Sequence, residues 1–250
     1  MNANAYLYSV LTCITNHYEK IHEVQNPNPN VEYVCVTDDP ELKSDTWKII
    51  YKENIWFFDI KHNPFKYIST NVCLWLDGCY QIKNDFTDNF IKPFINSNKE
   101  FMISLHDRRC NVYDELAQWW LGRGISTKNI KAITYIYTHN NFTGISGLCQ
   151  TSCFLVKKTN DTELILSKWR EIEKQCSITE PYREDQTTIT FILFKLFDKN
   201  KLLLMDFEYT SNNKYFHMCA HNSNIQYHFK SYFSTCFNKD QELYKIGQNN

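Results

Sequence analysis

Four clusters of polar residues follow apolar runs in this sequence, and each has a residue chemistry that suits phosphate, metal or hydroxyl groups. In Val72-Cys73-Leu74-Trp75-Leu76-Asp77-Gly78-Cys79, a run of large apolar side chains ends in a carboxylate and a glycine. Such a run reads as a buried strand, and in open α/β sheets ligands bind just past the carboxyl ends of the strands. Asp77 there either ligates a Mg²⁺ or Mn²⁺ ion that bridges a diphosphate, with Gly78 letting the backbone come close, or simply forms a tight Asp-Gly turn. Val34-Cys35-Val36-Thr37-Asp38-Asp39-Pro40 repeats the pattern. Asp38 either accepts hydrogen bonds from a ribose hydroxyl or a base edge, or belongs to an ordinary turn.

The third cluster is Tyr182-Arg183-Glu184-Asp185-Gln186, ahead of an apolar helix. Acids in a first helical turn complement the helix dipole without any catalytic role. If the helix end faces a site, Glu184 or Asp185 deprotonates or orients an acceptor hydroxyl. The fourth is His106-Asp107-Arg108-Arg109. Its guanidinium groups either clamp phosphate or a sugar carboxylate, or pair with Asp114 and Glu115 in a solvated loop. Lys66 is likewise a phosphate contact or a surface charge.

These clusters need a scaffold. Ala5 to Ile14, Val31 to Thr37, Trp47 to Tyr51 and Val72 to Asp77 read as strands, as do Phe101 to Leu105 and Ser152 to Lys157. Asn63-Pro64-Phe65-Lys66-Tyr67 predicts a short helix with Pro64 at its first position. Phe86 to Ile95, Val112 to Leu121, Lys128 to Tyr137, Asp161 to Gln175 and Glu184 to Leu196 carry helical spacing, and the tail beyond Asp206 shows no periodicity. Strands alternating with helices predict an α/β fold with a mainly parallel central sheet flanked by helices.

With 250 residues, the chain suits one domain with one site. Its expected parts are a nucleotide-binding half over about 1–110, an acceptor-side half over about 111–205 and an irregular tail over 206–250. The 27 basic and 28 acidic residues give a net charge of -1, which provides no drive toward nucleic acid. The ten cysteines are scattered through apolar stretches without a CxxC pair, and read as reduced, buried thiols. No segment has the length and apolarity of a membrane span and the N-terminus lacks a signal pattern, so a cytoplasmic location is expected, with peripheral membrane contact still open.

In order along the chain, Tyr8 to Tyr18, Val31 to Pro40 with Ser44 and Trp47, Asn63 to Tyr67, Leu74 to Gly78, His106 to Arg109 with Val112 to Glu115, Thr143 to Leu148 and Arg183 to Gln186 resemble one family. It is a family of glycosyltransferase-like proteins, formerly a domain of unknown function, with plant mucilage-related and bacterial polysaccharide members. The resemblance implies a GT-A-like single domain and a nucleotide-diphosphate sugar donor, a UDP-sugar first of all, with a saccharide acceptor. It implies that Thr15, Asn16, Tyr18 and Asp38 hold the nucleoside, that Asp77 stands at the acidic metal motif, and that Arg183 to Gln186 face the acceptor. Cys79 replaces the second acid of an Asp-x-Asp motif, and thiols suit Mg²⁺ poorly. Either Asp77 holds Mn²⁺ or Mg²⁺ with donor phosphates and His217 or His221, or Lys66 and Arg109 supply the positive charge. Glycosyl transfer follows, with Asp185 as base for an inverting reaction. The alternatives are a catalytically inactive nucleotide-sugar or carbohydrate-binding module, for which Cys79 speaks, and a nucleotidyltransferase, against which the glycine-free stretch Leu11 to Tyr18 speaks.

Overall fold

A computed structural model describes residues 6–106, 108–123, 125–145, 147–177, 184–205 and 213–219. The strands are β1 (Tyr8–Ile14), β2 (Val31–Thr37), β3 (Lys48–Tyr51), β4 (Val72–Leu76), β5 (Tyr80–Ile82), β6 (Phe101–Leu105), β7 (Cys149–Lys157), β8 (Leu202–Met205) and β9 (Phe216–Met218). The helices are α1 (Phe57–Lys61), α2 (Lys92–Asn96), α3 (Val112–Arg123), α4 (Thr127–His139), α5 (Asn160–Cys176) and α6 (Asp185–Lys195).

A seven-stranded sheet runs in the order β3-β2-β1-β4-β7-β6-β8. Every pair is parallel except those made by β7, which runs against both β4 and β6. The fold is therefore α/β with a mainly parallel sheet, as the alternation of elements predicts. The expected halves share this one sheet, because β7 from the second half inserts between β4 and β6 from the first.

β1, β2 and β4 are buried almost throughout, which explains their unbroken apolar runs. Alternate residues feed two cores. Leu11, Val34, Val36, Trp75 and Phe154 face one layer that includes Ile133, Trp169 and Ile189 of α4, α5 and α6. Val10, Cys35, Leu74, Leu76 and Leu155 face the other, with Phe94 of α2 and Phe216 of β9.

Several details depart from the sequence reading. The helix expected over Phe86 to Ile95 is a π-helical turn, Thr87–Ile91, running into α2. The helix expected at Asn63 is a single 3₁₀ turn, Pro64–Lys66, and the Asn63 amide does not cap it but donates to the Asp59 carbonyl at 3.1 Å. Helix α1 and strands β5, β8 and β9 carry no clear pattern in the sequence. Phe216–Met218 lies in the stretch expected to be irregular, yet pairs antiparallel with β5.

Phe154 of β7 is the centre of the helix-side core. Its ring lies 5.3 Å from Phe101, 6.0 Å from Trp169 and 6.3 Å from Trp75, centroid to centroid. Truncating it opens a cavity that four elements cannot jointly close, so Phe154→Ala should cost about 3–5 kcal/mol in denaturant unfolding. A loss under about 1 kcal/mol would mean that this packing does not hold β7 between its neighbours.

Candidate functional site

The parallel arrangement decides where the strand-end residues go. Ile14 of β1 pairs with Thr37 of β2, and Leu11 pairs with Trp75 of β4, so the segments after all three strands leave the sheet at the same edge. Asp38 and Asp77 therefore share one rim. Cys13, at the end of β1, lies between them: burial pushes its thiol up, and both carboxylates add to that push.

At the β1 exit, the backbone N–H of Asn16 donates to both oxygens of Asp38, at 2.9 and 3.2 Å. Asn16 and His17 adopt left-handed φ values of 54° and 53°, a tight reversal that directs this N–H toward β2. His17 Nδ1 also meets Asp39 at 3.2 Å. Tyr18 is exposed and its N–H closes the turn onto the Thr15 carbonyl at 3.0 Å. Thr15, Asn16, Tyr18 and Asp38 thus form one loop cluster. Gly78 is seated under it, where a Cβ would come within 3.0 Å of Ile14 and 3.1 Å of Glu19. The described residues enclose only a small cavity of about 10 Å³ here, bounded by Thr12, His22, Trp47, Asp77 and Tyr80 among others.

The centre of the rim is a residue that the sequence reading passed over. Lys61, the last residue of α1, donates to Asp185 Oδ2 at 2.7 Å and reaches Asp77 Oδ1 at 3.4 Å. The same Asp77 oxygen accepts from the Trp75 indole at 2.8 Å. The Lys61 ammonium lies 5.3 Å from the centroid of the Trp75 ring. Lys61 is 1 % exposed, beneath side chains of Asp77 and Asp185 that are 38 % and 12 % exposed. Burial alone would push the ammonium down, but the two carboxylates outweigh it and hold Lys61 above its ordinary value.

Three elements converge to make this arrangement. Trp75 points to the helix-side face, and so does Asp77 two residues on. Helix α6 is tied to the sheet where Thr190 accepts the Cys149 N–H at 2.8 Å, at the start of β7. Because β7 runs against β4, its start lies at the rim, which brings Asp185 there. Glu184 goes elsewhere. It is buried, and its carboxylate helps burial raise the Tyr137 hydroxyl. Of the two candidate bases, Asp185 is the one paired with Lys61 at 2.7 Å.

Behind Lys61, His62 Nε2 approaches Glu173 Oε2 at 3.4 Å, both buried. Burial, then the charge of Lys61, pushes His62 well below its ordinary value, while burial, then Asp185, pushes Glu173 well above its own. Both directions favour a neutral imidazole beside a neutral carboxyl.

Lys66 is exposed on its 3₁₀ turn, so the lysine against Asp77 is Lys61. Arg109 lies in the segment that follows β6, two strands from β4, and forms an ion pair with the buried Glu115, which also accepts from the Trp119 indole at 2.9 Å. That is the pairing weighed against phosphate binding. Asp107, Arg183 and His221 lie outside the described residues, whereas His217 lies on β9 and pairs in register with Gln81.

A divalent ion fits this rim poorly. Such ions take several hard oxygens, yet one oxygen of Asp77 already faces an indole N–H and an ammonium. Cys79 is buried, and burial, then Asp77 and Glu19, push its thiol up, which keeps it a neutral, soft group. Among the described residues no group of three His, Cys, Asp or Glu side chains could hold a metal. Among them, too, no helix is long and apolar enough to cross a membrane.

No protein-family model matches the sequence, and comparison with curated proteins finds no match. Solved structures give distant likenesses. The glycosyltransferase GlyE of Streptococcus pneumoniae TIGR4 is similar at 14 % identity and TM-score 0.43, over 80 % of this chain and 45 % of that one, so the chain spans less than half of GlyE. Mouse xyloside xylosyltransferase 1 is similar at 9 % identity and TM-score 0.45, over 80 % and 85 % of the two chains. The galactosyltransferase LgtC, solved with donor and acceptor sugar analogues, is similar at 10 % identity and TM-score 0.44, over 80 % and 74 %.

The neutral His62–Glu173 pair makes a pH prediction. Folding takes up a proton at Glu173 above its ordinary 4.5 and releases one at His62 below its ordinary 6.5. Between those values the two effects offset each other; above 6.5 only the Glu173 uptake remains, so it lowers stability as pH rises. Glu173→Gln removes that term. Its stability relative to the wild type should rise with pH, by up to about 1.4 kcal/mol per pH unit, in denaturant unfolding at a series of pH values. A difference that stays constant with pH would mean that Glu173 is ionised in the fold.

Proposed function

We propose that this chain is a glycosyltransferase of the GT-A type that moves a sugar from a nucleotide-diphosphate donor to a hydroxyl of a saccharide acceptor. The observation that carries the reading is the joining of Asp77 and Asp185 by Lys61 at the rim where β1, β2 and β4 all end. This puts an acid from a strand end and an acid from a helix start side by side on the ligand-binding edge of an α/β sheet. The ordered resemblance of the sequence to glycosyltransferase-like proteins supports the same reading.

In this reading the loop of Thr15, Asn16 and Tyr18 and the Asp38 carboxylate hold the nucleoside of the donor, a UDP-sugar first of all. Gly78 lets the chain after β4 pass against Ile14 and Glu19, which occupy the space a side chain would need. Asp185 accepts the proton of the acceptor hydroxyl as its oxygen attacks the anomeric carbon and the diphosphate departs. That is its part in an inverting reaction; in a retaining one it orients the acceptor. Asp77 accepts a hydrogen bond from the donor through the oxygen that Lys61 and Trp75 leave free.

The rival reading is a nucleotide-sugar-binding module without turnover, for which the buried thiol of Cys79 in place of a second acid is the supporting feature. Turnover of a nucleotide-sugar panel, with donor binding read by thermal shift, separates the two. Binding with transfer or donor hydrolysis supports the enzyme, and binding without either supports the module. For the enzyme, Asp185→Asn should lower kcat by about 100-fold or more while the donor still binds. Near-normal turnover in that variant would remove Asp185 from the chemistry.

A further inference from the structure

Lys61 is a buried cation with two carboxylates above it, and the geometry assigns each of their oxygens. Asp185 gives Oδ2 to Lys61, and Asp77 gives Oδ1 to Lys61 and Trp75. One oxygen of each acid is left over, and the side chain between them is already positively charged. A divalent ion placed against both acids would have to share them with an ammonium that is 1 % exposed and cannot swing away into solvent. The Trp75 ring beneath the ammonium and the neutral His62–Glu173 pair behind it close the space on the protein side.

We propose that Lys61 is the resident cation of this site: it holds the donor-side Asp77 and the acceptor-side Asp185 in fixed relation, as a bridging ion would, and makes sugar-nucleotide binding at the rim independent of added metal. The inference rests on the glycosyl-transfer reading and adds a positioning residue to it. Its chemical consequence is that the free oxygens of Asp77 and Asp185 serve as acceptors for hydroxyl groups and not as metal ligands. The uneven distances, 2.7 and 3.4 Å, make Asp185 the tighter partner. Asp77, the more exposed acid, is left freer to meet a ligand.

The test uses the full chain with UDP and Mn²⁺ as probes. Calorimetric titration with UDP in excess EDTA and in excess MnCl₂ should give dissociation constants that agree within about tenfold, or 1.4 kcal/mol. A larger weakening in EDTA overturns the inference. Titration with Mn²⁺ alone, followed by electron paramagnetic resonance, should show no saturable site that Asp77→Asn removes, and finding such a site also overturns it. If UDP binds under neither condition, the UDP donor falls, the nucleotide-sugar panel decides the glycosyl-transfer reading, and the Mn²⁺ titration alone judges Lys61. Once a donor is found, Lys61→Met should lower kcat about 100-fold and raise the metal-free donor KM, and Lys61→Arg should restore part of both losses without metal. Rescue of Lys61→Arg only by Mn²⁺ would contradict the assignment. If Lys61→Met fails to fold, the wild-type titrations decide.

Discussion

An ammonium group cannot stay charged in a protein interior unless something holds it there, and this constraint organises the rim. Lys61 is held by Asp185 and Asp77, and leaving its buried ammonium without them would cost about 3–5 kcal/mol. Its three contact residues come from distant parts of the chain: Trp75 and Asp77 at the end of β4, Asp185 at the start of α6. None of these elements can shift without leaving a charge unpaired. The pairing therefore acts as a lock on geometry more than as a source of net stability. Behind it, burial pushes His62 down and Glu173 up, and both directions favour neutral forms that keep further charge away from the pair.

The sheet does the remaining positioning through strand direction. Where β1, β2 and β4 end together, the chain places Asn16, Asp38, Asp77 and Gly78; at the other edge it places groups that satisfy one another. Glu32, near the start of β2, accepts from Ser9 at 2.5 Å and from the Ser69 N–H at 2.8 Å, and these hydrogen bonds, opposing its burial, lower its carboxyl. Glu23 gathers Ser44 and Thr46 in the same way, at 2.8 and 2.5 Å, fastening two crossover loops. These acids are saturated by hydroxyl and amide donors. Asp77 and Asp185 each keep an oxygen to spare, and that difference separates a candidate site from ordinary loop fastening.

Much of this was legible in the sequence. Buried strands need unbroken apolar runs, so Val31 to Thr37 and Val72 to Leu76 were plain, and the acids that follow them had to leave at a common edge once the strands were parallel. Lys61 was not legible, because a lysine following Phe57-Phe58-Asp59-Ile60 in a five-residue helix looks like an ordinary surface charge. The one available signal was its place among aromatic residues, where a lysine needs a partner. Lys66 is the more conspicuous lysine in the sequence, because Pro64 marks its turn. The two readings of Arg109 could not be separated by spacing, and only the fold shows its guanidinium on Glu115. The three-residue strands β5 and β9 escaped because their pairing is set by contacts between segments far apart, not by local pattern.

A sugar nucleotide must bind at this rim for the site to act as proposed, and the most direct measurement is amide NMR of the isotopically labelled chain during addition of UDP. Shifts concentrated at Cys13, Asn16, His17, Asp38, Gly78 and Cys79 are the predicted result. Shifts confined to the opposite edge, around Glu32, Ser69 and Thr70, or no saturable shifts at all, would contradict it.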